Sequence, residues 1–221
     1  MSNANQEREN LNQVGFEMLS LCKSQLEKAK EAFKNNDIDL AEEVIFKESH
    51  INALDLKIEK DCEKFLALYN PVAIDLRFIM TIRKMNTDLE RIGDHAYGIS
   101  KYVVDIDKKI TPQLFKSLQL DVMYTTIDDM FECIIAAYEN KDAKIARKVF
   151  KKDKVLDKIN ADSFAIIEAM VKKDNTLIGE TLLAFSVIKK LERVGDLIKN
   201  IAEEIIFYID TEVLKHRRKK S

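Results

Sequence analysis

The chain has no tryptophan, two prolines and five glycines in 221 residues. So few turn formers exclude a fold of many short strands joined by hairpins and favour long helices. The three cysteines, Cys22, Cys62 and Cys133, are odd in number and show no CxxC spacing. They fall in apolar helical slots, so they are expected to be reduced core residues in a reducing compartment. No uncharged apolar run approaches the roughly 18 residues of a membrane span. The polar start MSNANQEREN lacks signal-peptide character, and a cytoplasmic location is expected. Charge of one sign is also missing: the formal net charge is −2, which argues against general nucleic-acid binding. What remains is an ordinary soluble balance with ample length to bury a core, as one large domain or two small ones.

The chain repeats itself. LERIGD at 89–94 returns as LERVGD at 191–196, a shift of 102. A shift of 105 lays AFKNNDIDLAEEVIFKES over AYENKDAKIARKVFKKDK, so that Ala32, Asn35, Asp37, Ala41 and Val44 meet Ala137, Asn140, Asp142, Ala146 and Val149. One shortened connection accounts for the difference. Two halves are expected, 1–107 and 108–221. Each reads as three helices. The first runs over 8–35, with Leu11, Val14, Met18, Cys22, Leu26, Ala29 and Phe33 at spacings of three and four. Asp37 is a candidate N-cap for the second, which runs to Tyr69. Asn70-Pro71 is expected to open the third and Thr111-Pro112 the fourth, with Asp142 and Asp174 starting the last two. The expected architecture is all-α: a tandem duplication of an antiparallel three-helix bundle, six helices in all.

Acids interrupt the core pattern. The stripe of the second helix is Val44, Glu48, Ile51, Asp55, Ile58, Cys62 and Phe65; that of the fifth is Val149, Asp153, Leu156, Asn160, Ser163, Ile167 and Met170. Polar groups hold the same two slots in both. Asn52 and Asp157 stand one turn after the first slot. In the third and sixth helices, Glu90 and Asp94, then Glu192 and Asp196, lie four apart along the edge of the buried stripe. Gly93 and Gly195 each cost about 1 kcal/mol in a helix relative to alanine, so their repetition suggests a requirement. The expectation is that they let a neighbouring backbone, or an ion with its waters, approach the acids. Clustered carboxylates near a core need compensation, from Arg91 and Arg193 or from a cation. Oxygen-only ligand sets favour magnesium, calcium or manganese, and carboxylate-rich ones also hold iron or zinc. The second half offers four carboxylates and the first three plus Asn52, with Asp55 as a possible extra. On charge alone the second is expected to hold metal more tightly.

With these motifs in view, NPVAIDLRFIMTIRKMNTDLERIGDHA resembles the PhoU family of phosphate-signalling regulators. The resemblance covers nearly the whole chain: its size, the duplication, the helix count, PVAIDLR and both LER[IV]GD segments. The family's E(D)xxxD motif stands here as Glu90-Asp94, Asp153-Asp157 and Glu192-Asp196. In Glu48-xxx-Asn52 an amide replaces the second acid. The resemblance implies metal binding at these eight positions, with iron, zinc, manganese or magnesium as the ion. It further implies a cytoplasmic accessory protein that is not an enzyme, commonly a homodimer, and that reaches the membrane only through partners. Those partners are the ATP-binding subunit of the phosphate ABC transporter and a sensor histidine kinase. The implied role is repression of the phosphate-starvation response and restraint of uptake when phosphate is plentiful.

Two other readings compete. A carboxylate-bridged di-metal enzyme would need Glu-x-x-His pairs, and none of His50, His95 or His216 has a glutamate three residues before it. HExxH and P-loop patterns are absent as well. A structural helical scaffold without metal or signalling predicts no phosphate phenotype. His95 and His50 read as surface or core-edge residues, and KHRRKK at 215–220 as a basic helix end that offsets the dipole. Arg77 has no counterpart in the second half, which hints at a partner contact.

Overall fold

A computed structural model describes residues 3–106 and 109–218, with 211–218 as helix backbone alone. The expected boundary at 107/108 and the side chains of the basic tail lie outside the described residues. Helices α1 (Asn3–Asn35), α2 (Ile38–Tyr69) and α3 (Ile74–Asp105) pack on one another as the first bundle. The second is built from α4 (Pro112–Ser117), α5 (Leu120–Asn140), α6 (Ala143–Ala146), α7 (Val149–Lys173) and α8 (Ile178–Arg218), with a 3₁₀ turn at Asn175–Leu177. No strand occurs among the described residues.

The expected caps explain most of the starts. Asp37 accepts from Leu40 N–H at 3.0 Å, Asp142 from Lys144 N–H at 2.8 Å and Asp174 from Thr176 N–H at 3.0 Å. Thr111 accepts from Leu114 N–H, with Pro112 in the first turn. Asn70-Pro71 does something else. Asn70 closes α2 in the left-handed region at φ 47°, and α3 begins only at Ile74. Asparagine is favoured at N-caps, but it also tolerates the left-handed conformation of a helix stop. Two of the six expected rods are broken. Gln119, at φ 55°, separates α4 from α5, and a tightened turn at 147–148 separates α6 from α7.

Most core positions read from periodicity are buried, including Met18, Cys22, Ile51, Ile58, Ile82, Leu89 and Ile92, while Val14, Ile167 and Met170 are half-buried. Cys22 and Cys62 are buried free thiols, and Cys133 is half-buried. Both bundles share one continuous apolar core, joined where α3 packs on α8. At one end of that seam Phe78 meets Tyr208 with ring centroids 5.8 Å apart, and Arg8 donates to the Tyr208 hydroxyl at 2.8 Å. Arg77 lies 5.4 Å over the Phe207 ring, so a contact within the chain accounts for it. Lys84 pairs with Glu204 at 2.6 Å. Exposed pairs of this kind contribute about 0–1 kcal/mol each, so apolar burial holds the seam.

Candidate metal centre

The duplicated helices bring the acids together as two groups. In the first bundle, Glu48 and Asn52 are half-buried on α2, and Glu90 and Asp94 lie on α3 with Asp94 exposed. Asn52 donates to Glu48, and Asn86 on α3 donates to the Asp55 carboxylate at 2.6 Å. Burial first, then repulsion from Asp94, Asp55 and Glu48, pushes the Glu90 carboxyl above its ordinary range. Burial and then Glu48 push Asp94 upward, opposed by Lys190 and Arg91. These carboxylates therefore feel one another across the α2/α3 interface. No ion pair is made by Glu48, Glu90 or Asp94 among the described residues.

The second group is compensated differently. Asp153 on α7 is 5% exposed, while Asp157 is open to solvent. Lys199 on α8 places its ammonium 2.7 Å from Asp153 Oδ2 and 2.5 Å from Asp196 Oδ1. Burial raises the Asp153 carboxyl even though Lys199 opposes the shift. Burial, then Asp196, raises Glu192. The compensating cation is thus a lysine. Arg91 lies 3.9 Å from Asp88 instead, and Arg193 is exposed. Sequence reasoning missed Lys199, although the signal was available: it follows Asp196 by one turn, and the shift of 102 sets it on Tyr97.

The glycines do not open space for a backbone or a hydrated ion. A Cβ on Gly93 would fall 2.8 Å from Ile51 Cδ1, and one on Gly195 would overlap Leu156 Cδ1. Ile51 and Leu156 are repeat mates, 105 apart. Each glycine admits one buried side chain from the facing helix, and that packing sets the acids of the two helices side by side.

The donors, carboxylate and amide oxygens alone, fit a hard cation. The second group already holds a positive charge between two of its members. Among the described residues no three His, Cys, Asp or Glu side chains stand close enough to hold an ion as they are.

His95 is half-buried on α3 and His50 is exposed. Burial first, then Lys190 and Arg193 of α8 and Arg91 of α3, hold the His95 imidazole down at about 4. The fold therefore keeps it neutral while the unfolded chain protonates near 6.5. Its contribution is complete above pH 6.5 and lost as pH falls toward 4. With solvent screening the loss is on the order of 1–2 kcal/mol. His95→Leu, the residue of the second repeat, should flatten that acid limb. Urea midpoints at pH 7 and pH 4.5 would contradict this if wild type and variant fell equally.

The PhoU domain family matches residues 16–103 and again 120–205. A phosphate-specific transport system accessory protein PhoU homolog of Aquifex aeolicus is 30% identical over 205 residues, covering 93% of this chain and 92% of that protein. The Escherichia coli K12 accessory protein PhoU is 28% identical over 212 residues, covering 96% of this chain and 87% of its own. The crystal structure of PhoU from Pseudomonas aeruginosa superposes with a TM-score of 0.87 at 28% identity, covering 93% of this chain and 98% of that one.

Proposed function

The chain belongs to the PhoU family, and from that premise we propose that it is a negative regulator acting within the phosphate-specific transport system. In this reading it represses the phosphate-starvation response and restrains uptake while phosphate is plentiful. Its partners are the ATP-binding subunit of the transporter and a sensor histidine kinase. It works in the cytoplasm, as a homodimer, and not as an enzyme. No helix is long and apolar enough to cross a membrane among the described residues, and in this reading the protein meets the membrane through those partners.

The observation that carries the reading is the pair of acidic groups at matching positions of a duplicated fold that accessory proteins match over nearly its whole length. The residues that would hold metal are Glu48, Asn52, Glu90 and Asp94 in one bundle and Asp153, Asp157, Glu192 and Asp196 in the other. A bound iron, zinc, manganese or magnesium ion would supply positive charge and no redox or hydrolytic step. Glu90 and Asp94 would then be relieved of mutual repulsion, and α2 would be tied to α3. That stiffens a surface on which a partner could dock.

Deleting the gene tests the regulatory role. Phosphate-starvation genes should be expressed in phosphate-rich medium, and a plasmid copy should silence them again. Normal repression in the deletion strain would favour the scaffold reading. Metal analysis of protein purified without chelator tests the metal separately, and metal-free protein would remove that part.

A further inference from the structure

The two acidic groups descend from one repeat, yet only one carries its own countercharge. We propose that Lys199 is a built-in cation that closes the second group to metal and leaves Glu48, Asn52, Glu90 and Asp94 as the metal-binding group of the chain. This rests on the metal reading above and reverses the order that carboxylate count implies.

The geometry is direct. The Lys199 ammonium bridges two helices, 2.7 Å from Asp153 on α7 and 2.5 Å from Asp196 on α8. Both are charge-assisted hydrogen bonds, which are roughly twice as strong as neutral ones. Asp153 is 5% exposed, so its end of the bond is largely withdrawn from water and salt, while the lysine side chain is 27% exposed. An arriving divalent ion would have to displace an ammonium tethered to the same chain. Such a tether acts at high effective concentration. Formal charge no longer favours the second group. Asp153, Asp157, Glu192 and Asp196 supply −4, and Lys199 brings the sum to −3. Glu48, Glu90 and Asp94 also supply −3, and none of the three makes an ion pair among the described residues.

At the position of Lys199 the first bundle has Tyr97, which brings no charge. The cations that act on Asp94 are Arg91 and Lys190. Lys190 stands elsewhere, over Gly98 and 5.4 Å from the Tyr102 ring. Arg91 lies beside Asp88. Neither bridges the α2 and α3 acids as Lys199 bridges those of α7 and α8.

The test is Mn²⁺ binding by equilibrium dialysis and calorimetry, on full-length protein stripped with chelator and dialysed. Wild type should lose its Mn²⁺ in the Glu90→Gln/Asp94→Asn variant and keep it in Glu192→Gln/Asp196→Asn. Lys199→Gln should bind about twofold more Mn²⁺ per chain, since freed carboxylates are competent oxygen ligands. Lys199→Arg should behave as wild type. The converse variant, Tyr97→Lys, should weaken wild-type binding at least about tenfold, the scale of a lost ligand-supporting interaction. It decides the matter even if Lys199→Gln does not fold. Equal binding by Lys199→Gln and wild type overturns the proposal while the metal reading stands. So does loss of Mn²⁺ on changing Glu192 and Asp196. If neither wild type nor Lys199→Gln binds Mn²⁺, the proposal and the metal reading both fall.

Discussion

Lys199→Met is expected to destabilise the metal-free protein by about 2 kcal/mol near neutral pH, less than the roughly 3–5 kcal/mol of a fully buried ion pair because the Lys199 side chain is 27% exposed. The methionine keeps the aliphatic bulk and removes only the charge. Asp153, 5% exposed, would then face Asp157 and Asp196 with no countercharge. Burial already raises its carboxyl, and removing Lys199, which opposes that shift, would raise it further. The penalty should therefore shrink as pH falls and the carboxyl takes up its proton, and grow as pH rises. Adding Asp153→Asn to Lys199→Met should recover most of the loss, because removing both charges leaves nothing stranded. Urea denaturation of the four proteins of this cycle measures it. A loss below about 0.5 kcal/mol in the single variant, within the range of an ordinary surface change, would mean that Asp153 does not depend on Lys199.

Gly195→Ala should also destabilise, by about 1 kcal/mol: overpacking costs about 1–3, and the helix regains about 1 when glycine becomes alanine. The added methyl would collide with Leu156, whose side chain is fully buried and has little room to turn aside. Leu156→Ala alone should cost about 3 kcal/mol through lost burial and a cavity. In that background the sign of Gly195→Ala should reverse, since the clash is gone and the helix preference remains. Thermal or urea unfolding of the same four-protein set reads this out. If Gly195→Ala has the same sign in both backgrounds, the glycine is not there to admit Leu156.

Much of this molecule is legible in its sequence because periodicity reports burial directly. The stripe through Met18, Cys22 and Leu26 is apolar every three or four residues, and all three are buried. Asp37, Thr111, Asp142 and Asp174 announce helix starts because their short side-chain oxygens can accept from a free first-turn N–H. The breaks are harder to read. Gln119 adopts φ 55° with no glycine or proline to mark it, and residues 147–148 are ordinary helix formers. Asn70 is ambiguous by chemistry, because one side chain suits both ends of a helix.

The site divides in the same way. Glu48, Glu90, Asp153 and Glu192 stand out because acids occupy or edge a core stripe, and the duplication sets them on facing helices without gathering three at one point among the described residues. The partner of a carboxylate is a matter of side-chain reach, which spacing does not encode. Arg91 is adjacent in sequence and turns to Asp88, while Lys199, one turn away, spans to another helix. Likewise Gly93 marks a close approach without telling what approaches, and the answer, Ile51, lies on the facing helix.

The packing of α3 on α8 sets an order of events during synthesis. A growing chain completes α1, α2 and α3 first, and these can pair early because their contacts are local. The side of α3 that carries Phe78 and Lys84 is covered by Tyr208 and Glu204, from the 41-residue α8, which is made after every other described helix. Until then the nascent first half presents a bare apolar flank, the kind of surface that chaperones hold and that aggregates when left alone. Arg8 waits through 200 residues of translation for the Tyr208 hydroxyl. A stalled or truncated chain lacking its end would thus be defective at its beginning, and proteolysis of such fragments should start within the first half.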